Sequence, residues 1–125
     1  MKTKTIPTPG RRLLACAVFA AGLCAPLSLA WAAGEETVTG EVIDLMCYLD
    51  HGAHGDKHAE CAQKCIDSGG PVGLLTKDNQ LYLVIGQHEP INKELAPLAA
   101  KTVTLKGKIV ERNGVKMIEN AEIQK

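Results

Sequence analysis

Aromatic residues are scarce in this chain of 125 residues, which contains one Trp, one Phe and two Tyr. Phe19 and Trp31 both lie within the first 32 positions, so the remainder of the chain keeps only Tyr48 and Tyr82. A small domain without large rings builds a thin hydrophobic core, and such domains often need a disulfide or a metal ion for stability. The composition therefore predicts one small domain that is stabilised by a disulfide or a metal ion.

The chain also lacks net charge, with 14 Lys and Arg against 14 Asp and Glu. Four of the basic residues stand in the first twelve positions, while every acidic residue follows position 33, so residues 33–125 carry a net charge of about −4. Binding to nucleic acid through its phosphates needs a basic face, which this balance does not provide. We therefore expect no nucleic-acid partner.

Several motifs of enzymes and cofactor-binding proteins are missing. The sequence contains no Cys-x-x-Cys-His for covalent haem, no Cys-x-x-Cys of the thioredoxin type, no Gly-x-Ser-x-Gly and no phosphate-binding loop. Only three cysteines follow residue 32, and three cannot supply the four thiolates of an iron–sulfur cluster. No catalytic residue is predicted, and a binding role is expected in preference to an enzyme.

The first 32 residues have the pattern of a signal peptide. A basic segment precedes a charge-free apolar run from Leu13 to Ala33, and Ala30-Trp31-Ala32 offers small residues where signal peptidase cleaves. Arg11-Arg12 leaves twin-arginine export open beside the general secretory route. We expect cleavage after Ala32, a periplasmic or secreted product of residues 33–125, and no stable membrane span after cleavage.

The rest of the chain reads as five strands with one insert. Residues 90–100 form a short helical segment between the third and fourth strands, and Asn113-Gly114 is a two-residue hairpin signal between the fourth and fifth. This order is typical of an OB-type barrel. We predict a mainly β fold, a small five-stranded OB-like barrel with a Cys/His-bearing helical insert at residues 46–71. The strands are predicted at residues 37–45, 72–76, 81–85, 102–111 and 115–123.

The insert carries the candidate metal ligands. Asp56 is predicted to cap a helix over residues 57–68, on which His58, Cys61 and Cys65 are spaced i, i+3 and i+7 and share one face. Cys47, at the end of the first strand, can approach them from the side. Three thiolates and an imidazole make a tetrahedral set for Zn(II), and thiolates also suit Cu(I). The predicted metal site is therefore Cys47, His58, Cys61 and Cys65.

Two alternatives to a metal site stay open. An exported protein meets oxidants, so Cys47 could form a disulfide with Cys61 or Cys65 and leave one thiol unpaired. The chain would then be a metal-free module that binds a partner protein, or an exported thiol redox protein if a thiol were accessible and acidic. His51 and His54 are expected to be solvated loop residues.

Three motifs run through residues 40–76: GEVIDLMCY at 40–48, HxxCAxxC at 58–65 and GPVGLLT at 70–76. Together they resemble a group of small exported bacterial proteins of unassigned function. The resemblance implies that Cys47, His58, Cys61 and Cys65 act as one unit, and it implies no reaction. The function expected from the sequence is metal binding, with Zn(II) or Cu(I) in a structural or metal-handling role that can involve a periplasmic partner protein.

Overall fold

The computed structural model describes residues 34–125, in which five strands close into a barrel. Neighbours in the order β1-β2-β3-β5-β4 are hydrogen-bonded, and β1 pairs with β4 to close the ring. All pairs are antiparallel except β3 with β5, which run parallel. The predicted mainly β, five-stranded barrel is confirmed. The strands are β1 (Glu35–Asp44), β2 (Val72–Leu75), β3 (Leu81–Val84), β4 (Thr102–Arg112) and β5 (Val115–Gln124).

Short helices occupy two of the connections. Between β1 and β2 lie α1 (Leu45–His51), a 3₁₀ turn (Asp56–His58) and α2 (Ala59–Asp67). Between β3 and β4 lie α3 (Asn92–Leu95) and a second 3₁₀ turn (Ala96–Leu98). Within residues 34–125 no helix is long and apolar enough to cross a membrane. The predicted signal peptide, residues 1–32, lies outside the described residues.

The core is aliphatic, as the scarcity of aromatic residues requires. The predicted alternation in β4 places Leu105 inside the barrel, where it is fully buried with Ile118 of β5. The inner face of α2 closes one side of this core through Ala62 and Ile66, and Ile66 is 0% exposed. Because these side chains exclude water together, α2 is fixed to the barrel by hydrophobic burial.

The barrel bends sharply at Gly107, where β4 and β5 approach closely. A Cβ atom at this position would lie 2.7 Å from Cγ2 of Ile118 and 2.8 Å from the carbonyl oxygen of Glu119. The pairing register of β4 and β5 also shifts between Lys106 and Lys108. A glycine and a bulge at one point let the long strand β4 curve without steric overlap, which closure of a small barrel demands.

Two boundaries in the insert differ from the prediction. The first strand ends at Asp44 and the chain turns at once into α1, so Cys47 lies in a helix rather than at a strand end. The helix predicted over residues 57–68 begins as the 3₁₀ turn, and Asp56 makes no capping hydrogen bond through its side chain. Gly55, at φ +80°, leads the chain into that turn and takes the position in front of it.

Candidate metal centre

The first helix of the insert is held by the side chain at its N-terminus. Asp44 has an extended backbone, and its Oδ2 and Oδ1 accept hydrogen bonds from the backbone N–H groups of Cys47 (2.9 Å) and Met46 (3.4 Å). Asp is among the residues favoured at this position because it satisfies N–H groups that have no partner within the helix. The cap fixes the first turn of α1, and Cys47 lies in that turn.

The second helix supplies the other two cysteines. Ala62 and Ile66 face the core, whereas Cys61 is exposed and Cys65 is half-buried, one helical turn apart. The end of α2 is tied to the rest of the protein by Asn92, whose Nδ2 donates to the carbonyl oxygens of Ile66 and Gly70 at 2.7 Å each. The backbone that carries Cys65 is thus fixed by both packing and hydrogen bonds.

Both helices present their thiols to one point. The Sγ atoms of Cys47, Cys61 and Cys65 all lie within 4.8 Å of one another, and all three cysteines are free. Three thiolates that share one tetrahedral Zn(II) at about 2.3 Å are about 3.8 Å apart. Side-chain rotation alone therefore covers the difference, and the three cysteines are close enough to bind one metal ion.

A buried carboxylate stands beside these thiols. Asp44 is 1% exposed, and it is the one buried charged side chain among residues 34–125. Its hydrogen bond with the Cys47 thiol, together with burial and its negative charge, raises the pKa of Cys47 to about 12. Burial is the largest cause of the raised pKa of Cys65, and the charge of Asp44 adds to it. Without a metal ion, these two thiols remain protonated at neutral pH.

His58, the fourth predicted ligand, does not belong to the group of donors within 4.8 Å. Its Nε2 is buried and has no hydrogen-bond partner among residues 34–125, and its ring contacts that of His51 edge to face, with centroids 6.2 Å apart. A ligand role for His58 stays a prediction. The structure therefore brings together three of the four predicted ligands, the cysteines.

The other two histidines of the insert are exposed, as expected, although His51 is the last residue of α1 and not a loop residue. Nδ1 of His51 lies 3.0 Å from Oδ2 of Asp50, and Nδ1 of His54 lies 3.6 Å from Oε2 of Glu41. Glu41 also accepts the backbone N–H of Gly55, so it ties the loop before α2 to β1. Among the described residues, neither histidine belongs to the group of donors within 4.8 Å.

Sequence reasoning missed Asp44, which sets both the geometry and the protonation of the thiols. The available signal was an Asp placed directly before Leu45-Met46-Cys47, the pattern of a helix cap. It was hidden because Asp44 is also the last residue of β1.

Fold and site together define a small barrel with a three-cysteine group on a helical insert. Comparison of the chain with models of protein families, with curated proteins and with solved structures found no significant match.

Proposed function

We propose that this is an exported metal-binding protein that holds one thiophilic ion, Cu(I) or Zn(II), on Cys47, Cys61 and Cys65. The observation that carries the proposal is the convergence of three free thiols, from two separately anchored helices, to within 4.8 Å. Thiolates are the ligands that both ions prefer. His58 is a candidate fourth ligand for Zn(II), and its Nε2 has no other partner.

The role that fits best is metal handling. A structural ion stabilises a fold that cannot form without it. Here Ala62 and Ile66 bury α2 against the barrel core, Asp44 caps α1, and Asn92 ties the end of α2, so the helices have independent support. Cys61 is exposed to solvent and gives an incoming or leaving ion a way to the site. Cargo that must be delivered to another protein requires such access.

The raised thiol pKa values weigh against a thiol redox role. Thiol–disulfide exchange needs a thiolate, and reactive cysteines in such proteins have lowered pKa values. The pKa of Cys47 is about 12 and that of Cys65 is raised, which is the opposite direction. A metal ion displaces these protons as it binds, so the same thiols remain competent as ligands.

Export is part of the proposal and is supported by the basic and apolar pattern of the first 32 residues. In the periplasm or outside the cell, an ion-binding protein meets metal ions and partner proteins directly. The mass of the protein recovered from the periplasm of an expressing bacterium tests this point, and loss of residues 1–32 is expected.

The binding test uses the same periplasmic protein, reduced and freed of metal. Cu(I) and Zn(II) are titrated against chromogenic chelators, and we expect about one ion per chain. Replacing Cys61 with Ser should lower the affinity by more than the 10- to 100-fold typical of outer-shell changes, because a direct ligand is lost. Ser68→Ala, a substitution at the end of α2, is the control. Reduced protein that binds neither ion would overturn the proposal.

A further inference from the structure

Two large apolar side chains project from α1 into solvent. Met46 is 61% exposed and Leu49 is 70% exposed, whereas most residues of this size in the barrel are buried or half-buried. Met46 directly precedes Cys47, and its backbone N–H is held by the carboxylate of Asp44. The backbone of Met46 is therefore fixed, while most of its side chain is in contact with water.

Met46 and Cys65 line the same open hollow on the surface, which the turn at residues 69–71 completes. Cys65 thus belongs both to the lining of this hollow and to the group of three thiols. A methionine side chain has three rotatable bonds and a polarisable thioether, so it adapts readily to a neighbouring site. The thioether of Met46 is thus a soft donor on a residue that shares this hollow with Cys65.

We propose that Met46 supplies a fourth, thioether ligand and that the site is selective for Cu(I). The inference rests on the proposed function and specifies its ion. Thioethers bind Cu(I), a soft monovalent ion, whereas Zn(II) takes its further ligands from thiolate, imidazole or carboxylate. Among the described residues, the group of donors within 4.8 Å holds three thiols and no imidazole or carboxylate. A donor group made only of sulfur atoms favours Cu(I).

The proposed ligand explains an otherwise costly exposure. An apolar side chain in water is not stabilised by the hydrophobic effect. A methionine that is free to move can, however, turn its thioether towards a bound ion. Asp44, buried and negatively charged below the same helix turn, adds attraction for any cation. That attraction is stronger for divalent Zn(II) than for monovalent Cu(I), so the proposed preference for Cu(I) must come from the sulfur of Met46.

The first test is nuclear magnetic resonance of methionine methyl groups in the exported, reduced protein. Met46 and Met117 are the methionines of the described residues, and Met117 lies on β5, paired with Leu83 of β3. One equivalent of Cu(I) should shift the methyl signal of Met46 and leave that of Met117 in place. Zn(II) should leave both signals in place.

The second test compares Met46→Leu with wild type in Cu(I) and Zn(II) titrations. Leucine keeps the apolar volume and removes the sulfur. We therefore expect Cu(I) affinity to fall about tenfold, the lower end of the 10- to 100-fold range for changes around a metal site, and Zn(II) affinity to stay unchanged. Leu49→Ala, which alters the other exposed apolar residue of α1, is the matched control and should change neither affinity.

The outcomes separate this inference from the proposed function. If Cu(I) binds with about one equivalent, but the Met46 signal stays in place and Met46→Leu has wild-type affinity, the thioether is not a ligand while the three-thiol site stands. A Met46 signal that moves equally with Zn(II) would also overturn the inference, because it would report a general change of α1. Protein that binds neither ion would overturn both.

Discussion

The carboxylate of Asp44 acts on Cys47 in two ways: its Oδ2 accepts the backbone N–H of Cys47 at 2.9 Å, and its hydrogen bonding and negative charge raise the pKa of the Cys47 thiol to about 12. The first effect caps α1, and the second keeps the thiol protonated. One buried side chain therefore determines where the cysteine lies and when it can ionise. Metal loading must displace the proton that Asp44 stabilises.

Replacing Asp44 with Asn should make the Cys47 thiol more reactive. Asn keeps a capping oxygen for α1 and removes the negative charge, so the pKa of Cys47 should fall from about 12 towards its ordinary value. Alkylation of the metal-free protein by iodoacetamide near pH 9, followed by mass spectrometry of the Cys47 peptide, measures the change. Asp50→Asn, at an exposed carboxylate on the same helix, should leave the rate unchanged. Equal rates in Asp44→Asn and wild type would contradict this account.

The metal-free protein should lose stability at alkaline pH. The folded state raises the pKa of Cys47 from 9.0 to about 12, so it holds the thiol proton more tightly than the unfolded chain does. This contribution is present below about pH 9 and is lost as the pH rises towards 12. The pKa of Cys65 is raised as well and acts in the same direction.

Urea unfolding of the reduced protein between pH 7 and pH 10.5 tests this dependence. Cys47→Ser is the control, because it removes the main titrating group while Lys and Tyr residues continue to titrate. The free energy of unfolding should decline more steeply with pH in wild type than in the variant. Parallel curves would show that the thiol is not held protonated by the fold.

Ile66 should be the main anchor of α2. It is 0% exposed within the main core, so Ile66→Ala should lower the free energy of unfolding by about 2–5 kcal/mol. The exposed pair of Lys64 and Glu60, 2.9 Å apart and one turn apart on the same helix, should contribute about 0.5 kcal/mol or less. Urea unfolding of Ile66→Ala and Lys64→Ala measures both. If Ile66→Ala lowered the free energy of unfolding as little as Lys64→Ala does, burial of Ile66 would not be what holds α2 on the barrel.

His58→Leu should leave Cu(I) affinity unchanged, because His58 is outside the group of donors within 4.8 Å. The substitution also removes a buried nitrogen that lacks a hydrogen-bond partner, so the metal-free protein should be at least as stable as wild type. Chelator competition and thermal unfolding measure the two effects, with the exposed His88→Leu as control. A Cu(I) affinity lowered tenfold or more would restore His58 as a ligand.

The strands and hairpins were predictable because their signals are local. Alternation in β4 and the Asn113-Gly114 turn, at φ +53° and +82°, depend on residues a few positions apart. The helix α1 was not predicted, since seven residues between a strand and a glycine show too few periods to reveal a helix. Its beginning depends on one side chain, Asp44.

The three-cysteine group was predictable in part. Spacing along α2 placed Cys61 and Cys65 on neighbouring turns, and the odd number of cysteines indicated a ligand role. The same spacing suggested His58, but the chain there forms a 3₁₀ turn, with a different angle between successive side chains, before α2 begins. Periodicity assumes a regular helix, so it placed the two cysteines of α2 but not His58, which precedes the regular segment and whose ligand role stays a prediction.

The anchoring of α2 through Ile66 also has a kinetic consequence. Because hydrophobic contacts hold α2 against the barrel without an ion, a chain that carries metal as proposed would begin and end each round of loading with its fold intact. No refolding barrier would then delay the exchange, and an emptied molecule would not be exposed to proteolysis as an unfolded one is. Under the proposed function, one copy would serve many successive ions.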